Sequence, residues 1–215
     1  MNLRIVDLSH ELSDGMPVFP GDMAPEITVR SVHDKDGFQE LELKLTTHTG
    51  THIDCPLHLF KDMMPLSSFD TGYFYGKATV IDCSSIMGKI SPDIIQPYHQ
   101  ELFNMDYVLF FTGHDRWWGS EAYFKNYPVL TREAAGYLTQ FRIKGVGFDT
   151  ISADSVDSAD LPVHRILLQN NMLIIENLTA LGGVQGMEFF FSCFPLKIRG
   201  AEGSPVRAVA YLNED

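Results

Sequence analysis

The residues best equipped for chemistry sit in one short run, His48-Thr-Gly-Thr-His52-Ile-Asp54-Cys-Pro-Leu-His58. Three of the chain's eight histidines and one aspartate fall within these eleven residues. Imidazole nitrogen and carboxylate oxygen are donors that Zn²⁺, Mn²⁺ and Fe²⁺ accept without any thiolate. Positions 48, 52, 54 and 58 are all even, so an extended chain would direct the four side chains to one face. A straight strand nevertheless fails, because ten residues at ~3.3 Å each would set His48 and His58 more than ~30 Å apart. Ligands of one ion must lie close together, so the chain has to bend. Gly50 and Pro56 stand where the bends belong. Glycine accepts a positive φ and lets the backbone pass close to a ligand, while proline interrupts a strand ladder. A solvated histidine-rich loop is the alternative. Three histidines, an aspartate, a glycine bend and a proline break together favour a divalent-metal site.

Elements that could position such a site are legible around it. The alternation Glu-Leu-Glu-Leu-Lys-Leu-Thr over 40–46 predicts a half-buried strand running directly into the histidine cluster. Leu3 to Leu8 reads as a short strand, and Met16-Pro-Val-Phe-Pro-Gly-Asp22 is turn chemistry. Ala78 to Asp82 and Tyr107 to Phe111 are continuous apolar runs, as in strands buried on both faces. Thr131 to Gln140 has helical spacing, with Thr131 as its cap. Val146 to Asp149, a helix capped by Asp160 with Pro162 in its first turn, and Met172 to Glu176 predict a β-α-β unit. His164 falls in that helix's first turn and Glu176 ends the second strand. A carboxylate at the end of a buried strand is costly unless it is paired or bound to metal, so His164 and Glu176 are candidates for a second half of the site. A strand-end glutamate facing water is the bland alternative. Strands are also predicted at Phe189 to Cys193, Leu196 to Ile198 and Val206 to Tyr211, with a turn at 200–203. The class is α/β, rich in sheet and poor in helix.

Composition narrows the function. The chain has 215 residues, 45% hydrophobic and 20% charged, which suits one compact domain over 1–215. A formal net charge of −12 argues against nucleic acid and anionic membranes as partners. No apolar run approaches the ~18 residues of a membrane span, and the charged Asp7 leaves no room for a signal peptide's hydrophobic core. Three widely spaced cysteines, Cys55, Cys83 and Cys193, fit a reducing, cytoplasmic setting.

The run from His48 to His58 resembles the H-x-G-T-H-x-D-x-P-x-H signature of the cyclase family of metal-dependent hydrolases, which includes bacterial kynurenine formamidases and isatin hydrolase. Asp7-Leu-Ser-His10 with Met16–Asp22 is similar to the family's N-terminal block, and Leu161-Pro-Val-His164 with Ile174-Ile-Glu176-Asn-Leu to its second metal-site block. Pro195–Gly200 and Gly203–Ala208 are similar to its C-terminal block. The blocks span essentially the whole chain in order. The resemblance implies a single α/β domain of the swivelling β/β/α type, with a sheet-rich, barrel-like core and few helices, assembled as a homodimer or larger homo-oligomer. It further implies one or two divalent ions, zinc first, with manganese or iron as alternatives. One ion would take His48, His52, Asp54 and Glu176, and the other Asp54, His58, His164 and Glu176. If one metal suffices, His58 and His164 become proton-transfer groups. Cys55 departs from the alanine common at its position.

The implied activity is cleavage of a C–N bond in a small-molecule arylformamide of the N-formylkynurenine type by metal-activated water. Opening of a cyclic amide or lactone is the alternative within the family. A non-catalytic metal- or ligand-binding protein and a cysteine-nucleophile enzyme using Cys55 are readings from other classes. Phe19, Phe60, Trp117 and Trp118 could wall a pocket or simply fill core, and His114 reads as a solvated loop residue.

Overall fold

A computed structural model of the chain describes residues 2–214. Met1 and Asp215, the ends of the expected 1–215 domain, lie outside the described residues. In chain order the strands are β1 (Asn2–Asp7), β2 (Glu26–Ser31), β3 (Glu40–Lys44), β4 (His52–Asp54), β5 (Tyr75–Asp82), β6 (Lys89–Ile90) and β7 (Tyr107–Phe111). They continue as β8 (Val129–Leu130), β9 (Gly145–Phe148), β10 (Leu173–Glu176), β11 (Phe189–Ser192), β12 (Gly203–Pro205) and β13 (Val209–Glu214). Helix is sparse: α1 (His33–Asp36), α2 (Pro92–Ile95) and α3 (His99–Leu102) are single turns, and only α4 (Arg132–Leu138) and α5 (Pro162–Gln169) are longer.

Nine strands form one half-barrel sheet in the order β1-β13-β11-β5-β7-β9-β10-β4-β12. The centre, β5-β7-β9-β10, is parallel, and antiparallel strands flank it on both sides. The apolar run of β7 shows why the centre needs no alternation. Tyr107 and Leu109 enter a core on one face with Ile53, Cys55, Leu173 and Ile175. Val108 and Phe110 enter a second core on the other face with Phe148, Leu138, Leu167 and Ile174. Each such side chain contributes ~1.5–3 kcal/mol on full burial, so both faces must be covered. Phe110 and Phe148 stack within the second core at a centroid distance of 5.3 Å, and α4 and α5 close over it.

The expected α/β class, sheet-rich core and scarcity of helix agree with this architecture, but three elements differ. The alternating segment at 40–46 is not half-buried. β3 pairs only with β2, so neither face is covered, and Leu41 and Leu43 are 49% and 54% exposed. Seven residues of turn separate it from β4. Leu196 to Ile198 is not a strand: beyond Pro195 it forms a local turn, with Ile198 N–H donating to the Leu196 carbonyl at 2.9 Å. Gly203, expected in a turn, opens strand β12 instead. The β-α-β unit is present, with β9 and β10 as parallel neighbours joined through α5.

Candidate metal centre

Three-residue β4 lies between β10 and β12, and its register assembles the site. His52 pairs with Glu176 and Asp54 with Ile174. Directly opposed residues share a face, as do alternate residues of a strand. His52, Asp54 and Glu176 therefore emerge together on the α5 side, while Ile53 and Cys55 turn into the opposite core. The chain reaches β4 through a bend at Gly50, whose φ is +66°, and leaves it through a 3₁₀ turn opened by Pro56. Both predicted bends are present. The second brings His58 back beside His48, with ring centroids 4.3 Å apart.

His48 reaches the site over bare backbone. A Cβ on Gly203 would stand 2.8 Å from its Cε1, so only glycine leaves room for the ring. His48 Nδ1 lies 2.8 Å from Asp54 Oδ1, and His52 Nε2 is 3.5 Å from the same oxygen and 3.4 Å from Glu176 Oε2. From α5, His164 Nε2 approaches Glu176 Oε1 at 3.2 Å and Asp54 Oδ2 at 3.7 Å. All six candidate side chains thus converge from the 48–58 segment, α5 and β10. His48, Asp54 and His58 form one group of donor atoms within 4.8 Å of one another, and His52, Asp54 and Glu176 form another. His58 groups with His48 here, whereas the family resemblance pairs His48 with His52.

The electrostatics are those of a cation site. Burial alone would raise the carboxyl of Asp54, yet His48 and His52 outweigh it and hold the group well below the ordinary carboxylate range. Burial likewise opposes the Glu176 anion, but hydrogen bonds to His164 and His52 bring it to about 2. Burial also acts against the His48 cation. The charge and hydrogen bonding of Asp54, then Glu176 and Glu202, overcome it and lift the imidazole to about 9. His164 is likewise held well above the usual value, burial being outweighed by hydrogen bonds to Asp154, Asp54 and Glu176. His58 moves the other way: burial lowers it, and Asp54 offsets this only in part.

His48 Nε2 is buried without a hydrogen-bond partner, and Asp54 Oδ1, though 2.8 Å from His48 Nδ1, makes no well-aligned hydrogen bond. A buried polar atom left unmatched costs ~1–3 kcal/mol, and a divalent cation would satisfy both. The donors present, imidazole nitrogen and carboxylate oxygen, fit such an ion. They line a cavity of about 280 Å³ whose other wall is Phe19, Ile151 and Leu161, with Asp22 also lining it.

Several supporting residues were not foreseen. Asp154 accepts the N–H groups of Val163 and His164 at 3.0 and 2.9 Å, and its Oδ2 lies 2.8 Å from His164 Nδ1. It both caps α5 and orients the histidine. The expected cap, Asp160, does not do this. The chain turns left-handed at Leu161, φ +45°, so the capping carboxylate comes from a loop further back. Glu202 accepts the Thr47 hydroxyl at 2.5 Å and approaches His48 Nε2 at 3.4 Å. An aspartate ten residues before a histidine carries no local signal, and Glu202 falls between the two C-terminal segments that resemble the family. His114 is buried, not solvated, and its Nε2 lies 3.0 Å from the Tyr123 carbonyl. Phe19 lines the cavity, whereas Phe60 packs on the second core and Trp117 is exposed. Trp118 stacks on His10 at 3.8 Å. Cys55 is fully buried on the far face, and burial pushes its thiol up to about 11, so it offers no nucleophilic thiolate.

Residues 6–155 match the family described as putative cyclase. The kynurenine formamidase of Geobacillus thermodenitrificans is 30% identical over 204 residues, covering 94% of this chain and 95% of that protein. An isatin hydrolase bound to the product analogue thioisatinate superposes with a TM-score of 0.90 at 26% identity, over 99% of this chain and 93% of that one. A predicted metal-dependent hydrolase from Bacillus stearothermophilus superposes with a TM-score of 0.81 at 26% identity, over 99% and 100% of the two chains. The chain belongs to the cyclase family.

Proposed function

We propose that this chain, acting as one domain, is a metal-dependent hydrolase that cleaves the C–N bond of an arylformamide resembling N-formylkynurenine. The observation that carries this reading is the convergence of His48, His52, Asp54, His58, His164 and Glu176 on a cavity with an aromatic and aliphatic wall. The kynurenine formamidase relatives support the substrate class. His52, Asp54 and Glu176 would hold a divalent ion, and His48, Asp54 and His58 form a second group that could do so. Zinc suits these donors, as do manganese and iron. When bound, the metal supplies Lewis acidity, lowering the pKa of water and polarising a carbonyl.

The chain's own groups supply the rest. Asp54 and Glu176 remain ionised and balance the cation's charge. Phe19, Ile151 and Leu161 hold a flat apolar body and exclude bulk water from it. A proton must leave the attacking water and reach the departing nitrogen. His164 is engaged at both nitrogens, by Asp154 on one side and Glu176 on the other. His58 makes no side-chain hydrogen bond to the protein, is held neutral at pH 7 by burial, and lines the cavity. We assign the proton-carrying role to the His58 imidazole and a holding role to His164.

Opening of a cyclic amide is a second reading, supported by the likeness to isatin hydrolase. Turnover of N-formylkynurenine, isatin and a simple aryl lactone by the metal-loaded protein distinguishes them. The arylformamide should be the best substrate. Faster opening of isatin would transfer the assignment to the cyclic amide, and inertness towards all three would favour a non-catalytic binding protein. The chain functions in the cytoplasm as a homodimer or larger homo-oligomer, a reading supported by its buried free cysteines and the exposed apolar residues of the β2–β3 ribbon.

A further inference from the structure

Beside His52 lies a hydrogen-bonded layer centred on Asn177, which also lines the cavity. Asn177 directly follows Glu176 and is buried, with a left-handed backbone at φ +58°. Every polar group it carries is engaged. Its N–H donates to the Thr150 carbonyl at 3.0 Å, and its own carbonyl accepts the Thr51 hydroxyl at 2.6 Å. Its side-chain Oδ1 accepts the Tyr123 hydroxyl at 2.8 Å, and its Nδ2 donates to the Gly50 carbonyl at 2.8 Å; Nδ2 also lies 3.5 Å from His52 Nδ1, too far to compete with the 2.8 Å contact of that nitrogen with the same carbonyl. The Gly50 carbonyl is also 2.8 Å from His52 Nδ1. A carbonyl can only accept, and its two lone pairs serve two donors. Nδ1 of His52 must therefore carry a hydrogen, so Nε2 is the nitrogen that gives up its proton when the ring becomes neutral. Nε2 is the nitrogen that faces Asp54 and Glu176.

We propose that Asn177 is the positioning residue of His52: by pinning the Gly50 carbonyl it selects the Nδ1–H tautomer and presents Nε2 to the metal site. The amide orientation follows from its partners. With the amide flipped, Oδ1 would oppose the Gly50 oxygen, two acceptors in contact. The Tyr123 hydroxyl donates to the other end. Backbone conformation alone does not explain the side chain, because glycine satisfies a left-handed φ at least as well. The asparagine also couples Glu176, its neighbour in sequence, to the bend that delivers His52. The two donors come from different strands but share one brace. The metal-affinity part of the proposal rests on His52 being a ligand, whereas the tautomer part does not.

Asn177→Gly keeps the left-handed turn and deletes the brace. Long-range ¹H–¹⁵N correlation of the His52 ring in metal-free protein, at a pH where the ring is neutral, reads the tautomer directly. The wild type should show protonated Nδ1, and the variant a mixture of both tautomers. Zinc affinity, measured by competition with a chromophoric chelator, should weaken by roughly 10–100-fold, as for other groups that orient metal-binding histidines. Tyr123→Phe keeps the aromatic ring and should shift the same signals to a smaller extent. It carries the test if Asn177→Gly fails to fold. Unchanged His52 signals in the folded variant overturn the proposal, whatever happens to thermal stability. A tautomer shift in a protein that binds no zinc upholds the positioning role and refutes the metal reading instead.

Discussion

His58 and His164 lie in one cavity and have opposite assignments. In the metal-free protein Asp154, Asp54 and Glu176 hold His164 well above the ordinary imidazole value, while burial pushes His58 below it. A neutral His58 is the form that accepts a proton, so activity should fall as pH drops through a midpoint below the usual imidazole range. His58→Gln should retain metal, lower kcat by ~10²–10⁴-fold and abolish that acid limb. A pH–rate profile of the variant checks this, and a surviving limb would assign the proton elsewhere. The second residue-scale consequence concerns His48, which at about 9 is protonated at neutral pH when no metal is bound. A ligand nitrogen must shed that proton, so zinc uptake at pH 7 should release protons. Its calorimetric heat should then vary with the ionisation enthalpy of the buffer. Buffer-independent heat would remove His48 from the ligand set.

At the scale of elements, the site is a product of register. A three-residue strand with both edges paired fixes His52 and Asp54 on one face, and a one-residue slip would deliver Ile53 and Cys55 instead. Gly203 on β12 leaves the hollow that His48 occupies. Gly203→Ala should therefore displace His48 and weaken zinc affinity while the protein stays folded, as read by chelator competition alongside circular dichroism. The two longer helices provide a contrast. Thr131 caps α4 by accepting the Ala134 N–H at 3.1 Å, remote from the site, so Thr131→Ala should cost ~1 kcal/mol with unchanged kcat. Asp154→Ala removes a cap of α5 and should cost a similar amount. It should also lower metal affinity by ~10–100-fold, because His164 loses its orienting carboxylate. Denaturant unfolding and metal titration separate the two effects.

This contrast shows what was legible in the sequence. The candidate ligand run, its two bends, the buried strands and the Thr131 cap were readable because each signal is local in spacing or residue type. Asp154, Asn177 and Glu202 were not, because their partners are fixed by tertiary contacts and not by neighbours in sequence. The alternation at 40–46 identified a strand correctly, but alternation cannot reveal whether a second layer covers it.

At the scale of the whole molecule, the β2–β3 ribbon stands apart from the nine-stranded sheet with Val29, Leu41 and Leu43 exposed. An uncovered apolar strand face invites association. Under the homo-oligomer reading, Leu41→Lys with Leu43→Lys should shift the protein towards monomer in sedimentation equilibrium, and an unchanged mass would place the contact elsewhere. The nine-stranded sheet and the cores on its two faces hold six side chains around one small volume. Whether that volume works through a metal is tested most directly by removing and restoring the ion. Chelator-treated protein should lose turnover of N-formylkynurenine and regain it with stoichiometric Zn²⁺ or Mn²⁺, while His52→Ala should neither retain metal by elemental analysis nor recover. Full activity in protein shown by elemental analysis to be metal-free would contradict the account.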